Sequence, residues 1–264
     1  MIKIITIKLL THIFKIHYKT KKKLDIEDYF FSSKNKDKDK ATFRFFIIQR
    51  RKEYLFYSRN RFIFFVGEKE IKKREDLIFI VKSLINLFLI KKMIIFVHAS
   101  AIKVKNNGYL FVGPSGVGKT TLLKKINKLK EGEILSDDTA VIYIKKKKVF
   151  LISSPFDRKK NIKIIRDKQV EVSKIFFLNK SKENRIKEIN FNKAIKKIYQ
   201  NLIIYAYFKK IKDIYGLKNQ IKFKNEVLKI LDFFKKKEFY QLLLRRDTNL
   251  NDLKKFLTLS RKSL

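Results

Sequence analysis

One eight-residue stretch constrains this chain more than any other: Gly113-Pro114-Ser115-Gly116-Val117-Gly118-Lys119-Thr120. It holds three of the seven glycines and one of the two prolines in 264 residues, so permissive backbone is gathered here and nearly absent elsewhere. The stretch satisfies G-x-x-x-x-G-K-[ST] in full. It follows the apolar run "GYLFV" (108–112). It precedes Leu122, Leu123, Ile126 and Leu129 at helical spacing, with Gly132 as the expected helix stop. A chain that wraps a triphosphate must point consecutive N–H groups inward, which takes positive φ and close backbone approach, and bulky residues permit neither. The helix N-terminus adds its partial positive charge to the same anion. On this reading Gly113 to Thr121 cradle the phosphates of ATP, Lys119 supplies a point charge to the β- and γ-phosphates, and the Thr120 hydroxyl ligates Mg²⁺.

The formal charge of +40 points first to a nucleic acid or an anionic membrane surface. The excess is mostly lysine, and it comes with abundant Ile, Phe and Asn and scarce Ala, Gly and Pro, which is what AT-rich codons produce throughout a proteome. The lysines are also spread along the chain as solvated faces, so no specific nucleic-acid partner is expected. With no cysteine there is no disulfide framework and no thiolate metal site. The longest apolar run, "LIFIVKSLINLFLI" (77–90), is short for a membrane span and is interrupted by Lys82 and Asn86, so it reads as a buried helix. The N-terminal "MIKIITIKLLTHIFKIHYK" alternates apolar and polar residues and lacks a small-residue cleavage site. It reads as a strand carrying His12 and His17 and not as a signal peptide, and a cytoplasmic protein is expected.

The first third is rich in β signals. "TFRFFIIQ" (42–49), "EYLFYS" (53–58) and "RFIFFV" (61–66) are short aromatic and β-branched runs with hairpin-length gaps, after a polar loop at 32–40. A helix over about 74–90 closes this part. "MIIFVHASAIKV" (93–104) and "GYLFV" then form two strands around the turn "KNNG", where Asn107 and Gly108 accept positive φ. Beyond the P-loop helix, "EILSDDTAVIYI" (133–144) and "VFLIS" (149–153) read as strands joined by the exposed turn "KKKK", and "VSKIFFLNK" (172–180) as another. The remainder reads as mostly helical, including 192–208 and 225–237. The expected fold is α/β, with a mixed sheet carrying the P-loop and its helix. A small β-rich N-terminal domain ending in a helix covers 1–92, a P-loop domain covers 93–264, and the C-terminal end is helical.

Phosphate loops serve several kinds of machine, and the second acidic element discriminates between them. Asp137 and Asp138 follow the P-loop helix at the start of an apolar strand. Adjacent strand residues face opposite ways, so the two carboxylates either sit at a bend or do different work. A kinase needs one carboxylate for Mg²⁺ and one to take the proton from an acceptor hydroxyl. No LSGGQ-like segment follows residue 132, as a transporter ATPase would need. "NKSK" (179–182) places Lys182 where a GTPase carries its base-reading aspartate, and "DIYG" (213–216) comes after that segment and not before it.

"HASAIKVKNNGYLFVGPSGVGKTTLLKKI" followed by "ILSDDTAVIYI" resembles the C-terminal catalytic domain of the HPr kinase/phosphorylases and their divergent relatives, which share a P-loop core with ATP-dependent phosphoenolpyruvate carboxykinase. The resemblance covers about residues 76–257. It implies an active-site role for His98, as a polariser of phosphate or a partner of the aspartates, beside Lys119, Asp137 and Asp138. It also implies Mg²⁺ held by Thr120 with Asp137 or Asp138. The bifunctional enzymes carry a Gly-rich, Arg- and Asn-containing signature downstream of the aspartates, which this chain lacks, so the resemblance implies neither phosphorolysis nor HPr as the substrate. The expected activity is transfer of the γ-phosphate of ATP to a hydroxyl, serine foremost, in a protein, peptide or small molecule. The alternative is a non-catalytic ATP-binding protein that regulates a partner or assists peptide maturation.

Overall fold

Short β-branched and aromatic runs supply the strands of two sheets, and the helices pack where apolar residues recur at helical spacing. The computed structural model describes residues 3–10, 12–19, 43–50, 53–58, 61–67, 73–127, 132–156, 162–203, 217–245 and 247–258. The expected loop at 32–40, the helical stretch 204–208 and Leu129 lie outside these residues.

The first sheet contains β1 (Lys3–Leu9), β2 (His12–Lys19), β3 (Phe43–Arg50), β4 (Glu53–Ser58) and β5 (Arg61–Gly67) in that order. Only β2 and β3 run parallel within it. The single N-terminal strand expected above is in fact a hairpin. Leu10 turns the chain with φ 53°, and Leu9 then pairs with His12. Apolar alternation continues on both sides of a turn that contains neither glycine nor proline, so the pattern alone reads as one strand. His12 and His17 both lie in β2, and His17 is half-buried.

Helix α1 (Arg74–Ile90) follows, and its buried stripe (Leu77, Val81, Leu84, Ile85) packs with Ile7, Phe14 and Ile16 of the first sheet and with Phe96 of the second. The second sheet is mixed. Its path runs β10 (Lys148–Ile152), β9 (Thr139–Lys145), β6 (Ile94–Val104), β7 (Asn107–Val112), β11 (Gln169–Lys180), β13 (Glu238–Leu244), β12 (Arg185–Glu188), with β8 (Gly132–Ser136) also on β6. β10 pairs in addition with the first residues of β11. β7, β11 and β13 run parallel, so their C-terminal ends share one edge of the sheet.

Alternation divides the central strands between two cores. Tyr109 and Phe111 of β7, Phe176 of β11 and Tyr240 of β13 face α2 (Lys119–Asn127) and α5 (Leu250–Thr258), and three of these rings stack with centroids 5.4 and 5.7 Å apart. Leu110, Val112, Ile175 and Phe239 face the other way, toward α3 (Phe191–Gln200) and α4 (Leu217–Asp232).

Three local expectations are corrected. The turn after β6 is Lys105-Asn106, with Lys105 at φ 54°, while Gly108 lies within β7. A Cβ on Gly108 would meet the Glu171 carbonyl oxygen at 2.7 Å, so this glycine serves the close approach of β11. Gly132, expected as a helix stop, is the first residue of β8, and a Cβ there would lie 3.0 Å from the Ile126 carbonyl oxygen, so this glycine serves the close approach of β8 to α2. The C-terminal end is not wholly helical. "EFYQLLL" is β13, inserted between β11 and β12, where strand pairing and burial override an ambiguous apolar run. The exposed "KKKK" turn appears as expected, with Lys146 and Lys147 both at positive φ, as a two-residue hairpin loop requires.

Candidate functional site

The glycine-rich loop Gly113–Gly118 leaves the end of β7, and the chain enters α2 at Lys119. Its three glycines meet different needs. A Cβ on Gly113 would lie 3.0 Å from Val117 and 3.2 Å from the Leu178 carbonyl oxygen, so this position is closed by space. Gly116 and Gly118 have open space around them but stand at φ +76° and +105°, so these positions are closed by backbone conformation. Pro114, Ser115, Gly116 and Gly118 are exposed, whereas Lys119 is buried.

Lys119 turns its ammonium under the loop. Nζ donates to the Gly113 carbonyl at 2.6 Å and to the Pro114 carbonyl at 3.0 Å, and lies 3.3 Å from Nε2 of His98. On the far side of the imidazole, Nδ1 lies 3.2 Å from Oδ1 of Asp138. Nδ1 thus faces the carboxylate while Nε2 faces the Lys119 ammonium. Asp138 receives a second cation, Lys82 Nζ of α1, at 3.4 Å, and that ammonium also donates to Thr139 Oγ1 at 2.6 Å. Partial burial opposes ionisation of Asp138, but the His98 hydrogen bond and the Lys82 charge outweigh it and hold the carboxyl well below the usual range.

Asp137 faces the other way. It is buried at 2% exposure, and its Oδ1 accepts from the Thr120 hydroxyl at 2.8 Å. The Asp137 carbonyl in turn accepts from Ser100 Oγ at 2.5 Å. The opposed directions follow from a break in the strand expected over 133–144. β8 and β9 both pair with β6, but β6 exchanges one for the other between His98 and Ala101, and Asp137-Asp138 form the bend at that exchange. The Ala99 N–H donates to the Asp138 carbonyl at 3.1 Å and the His98 N–H to the Asn201 carbonyl at 2.7 Å, which ties the bend to β6 and β6 to the end of α3.

His98, Lys119, Thr120, Asp137 and Asp138 therefore meet at one place, beside the loop formed by Gly113 to Gly118. Thr121, one residue on, is exposed and lines a different cavity on the β11 side. Lys82 was not among the candidates drawn from the sequence. The only signal was a pair of polar residues, Lys82 and Asn86, one helical turn apart in an apolar run, and both are buried and used. Asn86 Oδ1 accepts from the Phe96 N–H at 2.8 Å.

The contact between Thr120 and Asp137 brings two hard oxygen donors together. Among the described residues no three His, Asp or Glu converge as a protein-only metal site. Magnesium takes few protein ligands and completes its shell with phosphate and water oxygens, so one hydroxyl and one carboxylate in contact are a suitable donor set.

No family model matches the sequence, and no curated protein matches it. Among solved structures, the chain is similar to the HPr(Ser) kinase/phosphatase from Coxiella burnetii at 17% identity. That match covers 36% of this chain and 72% of the other, with a TM-score of 0.28. The fold is mixed α/β, and among the described residues no helix is long and apolar enough to cross a membrane.

Proposed function

We propose that the chain is an ATP- and Mg²⁺-dependent kinase that phosphorylates a hydroxyl. The observation that carries this reading is the division of the acidic pair about one P-loop. Asp137 contacts the P-loop hydroxyl of Thr120, while Asp138 contacts His98, whose other nitrogen faces Lys119. Thr120 and Asp137 would hold the metal, which supplies charge neutralisation at the β- and γ-phosphates. Lys119 would move from the Gly113 and Pro114 carbonyls to phosphate oxygens, exchanging neutral acceptors for charged ones. Asp138 is ionised throughout the physiological range and accepts the acceptor's O–H. As the acceptor oxygen bonds to the γ-phosphorus, the bridging bond to the β-phosphate breaks and the hydroxyl proton passes to the carboxylate. A strongly acidic carboxyl is adequate for this step because a loose transition state asks for orientation of the nucleophile more than for early deprotonation. His98 holds Asp138 in place and presents Nε2 toward the phosphate side.

The acceptor side is a cavity of about 410 Å³ beside Lys82, His98 and Asp138, walled by Ile78 and Phe79 of α1 and by Leu202. That size admits a small molecule or one projecting side chain. The test is product formation from γ-labelled ATP with hydroxylated acceptors, comparing wild type with Lys119→Ala. Loss of the charge at the transferring phosphate should lower turnover about a hundredfold, or roughly 3 kcal/mol. Equal activity in both proteins would refute the assignment, and tight ATP binding without transfer to any acceptor would favour a non-catalytic nucleotide-binding protein.

A further inference from the structure

Helix α1 gives the cavity beside Asp138 a wall with charge at both ends. Glu75, Ile78, Phe79 and Lys82 all line it, and their spacing of three, four and seven residues from the first puts them on one face of the helix. At 1.5 Å of rise per residue, Glu75 and Lys82 stand about 10 Å apart along the axis. Lys82 is buried at the inner end of this row, next to Asp138, whereas Glu75 is exposed at the outer end. The opposite wall is the end of α3 and the residues after it, Gln200 to Ile203.

Both walls are anchored to the same strand. Asn86 Oδ1 of α1 accepts from the Phe96 N–H at 2.8 Å, and the Asn201 carbonyl accepts from the His98 N–H at 2.7 Å. Val97, between those two anchors, forms a bridge with Leu202. The groove is therefore built around β6 and stands ready before any ligand enters. Its charge also runs against the rest of the chain. In a protein of net charge +40, this lining holds two carboxylates, Glu75 and Asp138, against one ammonium, Lys82. The cavity on the other side of the glycine-rich loop has the opposite character, with Lys125, Lys180 and Arg245 and no acidic residue. Within the groove the Lys82 ammonium is engaged with Asp138 Oδ2 and Thr139 Oγ1. The start of α1 is capped without Glu75, because Asp76 accepts from the Lys73 N–H at 3.1 Å. Among the described residues no cation faces the Glu75 carboxylate.

Resting on the kinase reading above, we propose that the acceptor is a serine in an extended peptide segment laid along α1, and that Glu75 selects a Lys or Arg two residues from that serine. In extended backbone, side chains two residues apart point to the same side and stand about 6.6 Å apart. A serine turned toward Asp138 thus brings the side chain two positions away to the outer part of the α1 row. The length of Lys or Arg covers the remaining distance to Glu75. Side chains one or three residues away point off α1 and miss it. The alkyl stem of the basic residue packs on Ile78 and Phe79, while its charged head stays at the exposed rim with Glu75. An acidic residue in the same place would meet a like charge, so Glu75 rejects as well as selects. A hydroxylated molecule only one residue long would reach Asp138 and leave Glu75 untouched.

The experiment measures transfer from γ-labelled ATP, by the full chain, to short alanine-based peptides that carry one serine. An arginine is placed one, two or three residues to either side of it, with glutamate-bearing and uncharged peptides for comparison. Wild type should use a peptide with arginine two residues away, on one side or the other, about fivefold or more better in kcat/KM than the uncharged peptide, the scale of one partly exposed ion pair. Glu75→Gln should bring that peptide down to the uncharged value through KM with kcat unchanged, and should leave the uncharged peptide unaffected. Glu75→Lys should favour glutamate over arginine at the same position. Equal use of basic and uncharged peptides by wild type, an equal preference for arginine one or three residues away, or a preference that survives in Glu75→Gln overturns the proposal and leaves the kinase standing. Transfer to small hydroxylated molecules but to no peptide does the same. Tight ATP binding without transfer to any acceptor overturns the kinase reading and this proposal together.

Discussion

Lys82 of α1 and Asp138 at the β8–β9 bend, 56 residues apart in sequence, meet with Nζ 3.4 Å from Oδ2. Lys82 is 4% exposed, and its ammonium also lies 5.9 Å from the centre of the Phe156 ring. A helix that the sequence places ahead of the P-loop segment thus supplies one of the two groups that keep Asp138 ionised. Lys82→Met should raise the Asp138 carboxyl toward its ordinary value of about 4, since burial then works against ionisation with only His98 opposing it. Activity that depends on the ionised form is lost as pH falls through that value. The acid limb of kcat/KM should therefore move to higher pH in Lys82→Met and return in Lys82→Arg. The sign for stability is the same. Ionised Asp138 stabilises the fold above its unfolded pKa, and that contribution disappears as pH falls toward the depressed native value, so Lys82→Met should show a shallower acid decline of Tm. An unshifted acid limb would remove Lys82 from the site.

The two aspartates should separate under mutation. Asp137→Asn weakens the partner of Thr120 and should reduce Mg-ATP affinity about tenfold or more while leaving binding of metal-free tripolyphosphate nearly intact. Asp138→Asn should retain Mg-ATP affinity and lose transfer by about a hundredfold or more, the usual scale for a positioned acid–base group. Titration calorimetry with and without magnesium, beside single-turnover transfer, distinguishes the two. Reversal of the two phenotypes would exchange the roles of Asp137 and Asp138.

Gly116 and Gly118 make a prediction about backbone and not about space. Neither has an atom within 4 Å of an added Cβ, so Gly116→Ala meets no clash. Its cost is the left-handed conformation, about 1–2 kcal/mol, which for a chain of this size lowers Tm by a few degrees. Gly116→Asn should recover part of that loss, because asparagine tolerates positive φ better than alanine. Gly118, at φ +105°, lies outside the region asparagine favours, so Gly118→Asn should lose more stability than Gly116→Asn. Thermal melts and ATP titration of the three variants test this, and identical behaviour of Ala and Asn at position 116 would count against the conformational account.

Much of the candidate site is legible in sequence because the glycine-rich loop is local. Its glycines, Lys119 and Thr120 fall within eight residues, and their conformations are dictated by the loop itself. His98 was reachable only through the resemblance of its segment to a known family. Lys82 was not reachable, since nothing in its own helix records that Asp138 will lie opposite it. The bend at Asp137-Asp138 was one of the two readings that adjacent carboxylates allow, and the same limit left it undecided. An apolar run broken by two acids reads as one strand until β6 is seen to pair with both halves. β13 was missed for a related reason. "EFYQLLL" suits either a buried helix or a buried strand, and only the slot between β11 and β12 decides.

The charge of +40 supports the last prediction, because it is the feature most able to mislead. A dedicated nucleic-acid surface would gather cations on one face with aromatics exposed to stack on bases. Here large rings in and around the second sheet are spent in the core: Phe96, Phe111, Phe156, Phe176, Phe234 and Tyr240 are all almost fully buried. Several basic groups are also committed to internal partners, including Lys82 with Asp138, Lys103 with Glu133 and Lys237 with Glu171. Non-specific binding to DNA or RNA at low salt is nonetheless expected, since any strongly basic protein releases counterions from a polyanion. It should weaken steeply toward physiological ionic strength, with no sequence preference and no effect on nucleotide turnover. Filter binding across a salt series, with and without Mg-ATP, measures this directly. Tight binding that survives physiological salt, or ATP hydrolysis stimulated severalfold by nucleic acid, would replace the kinase reading with a nucleic-acid-dependent ATPase.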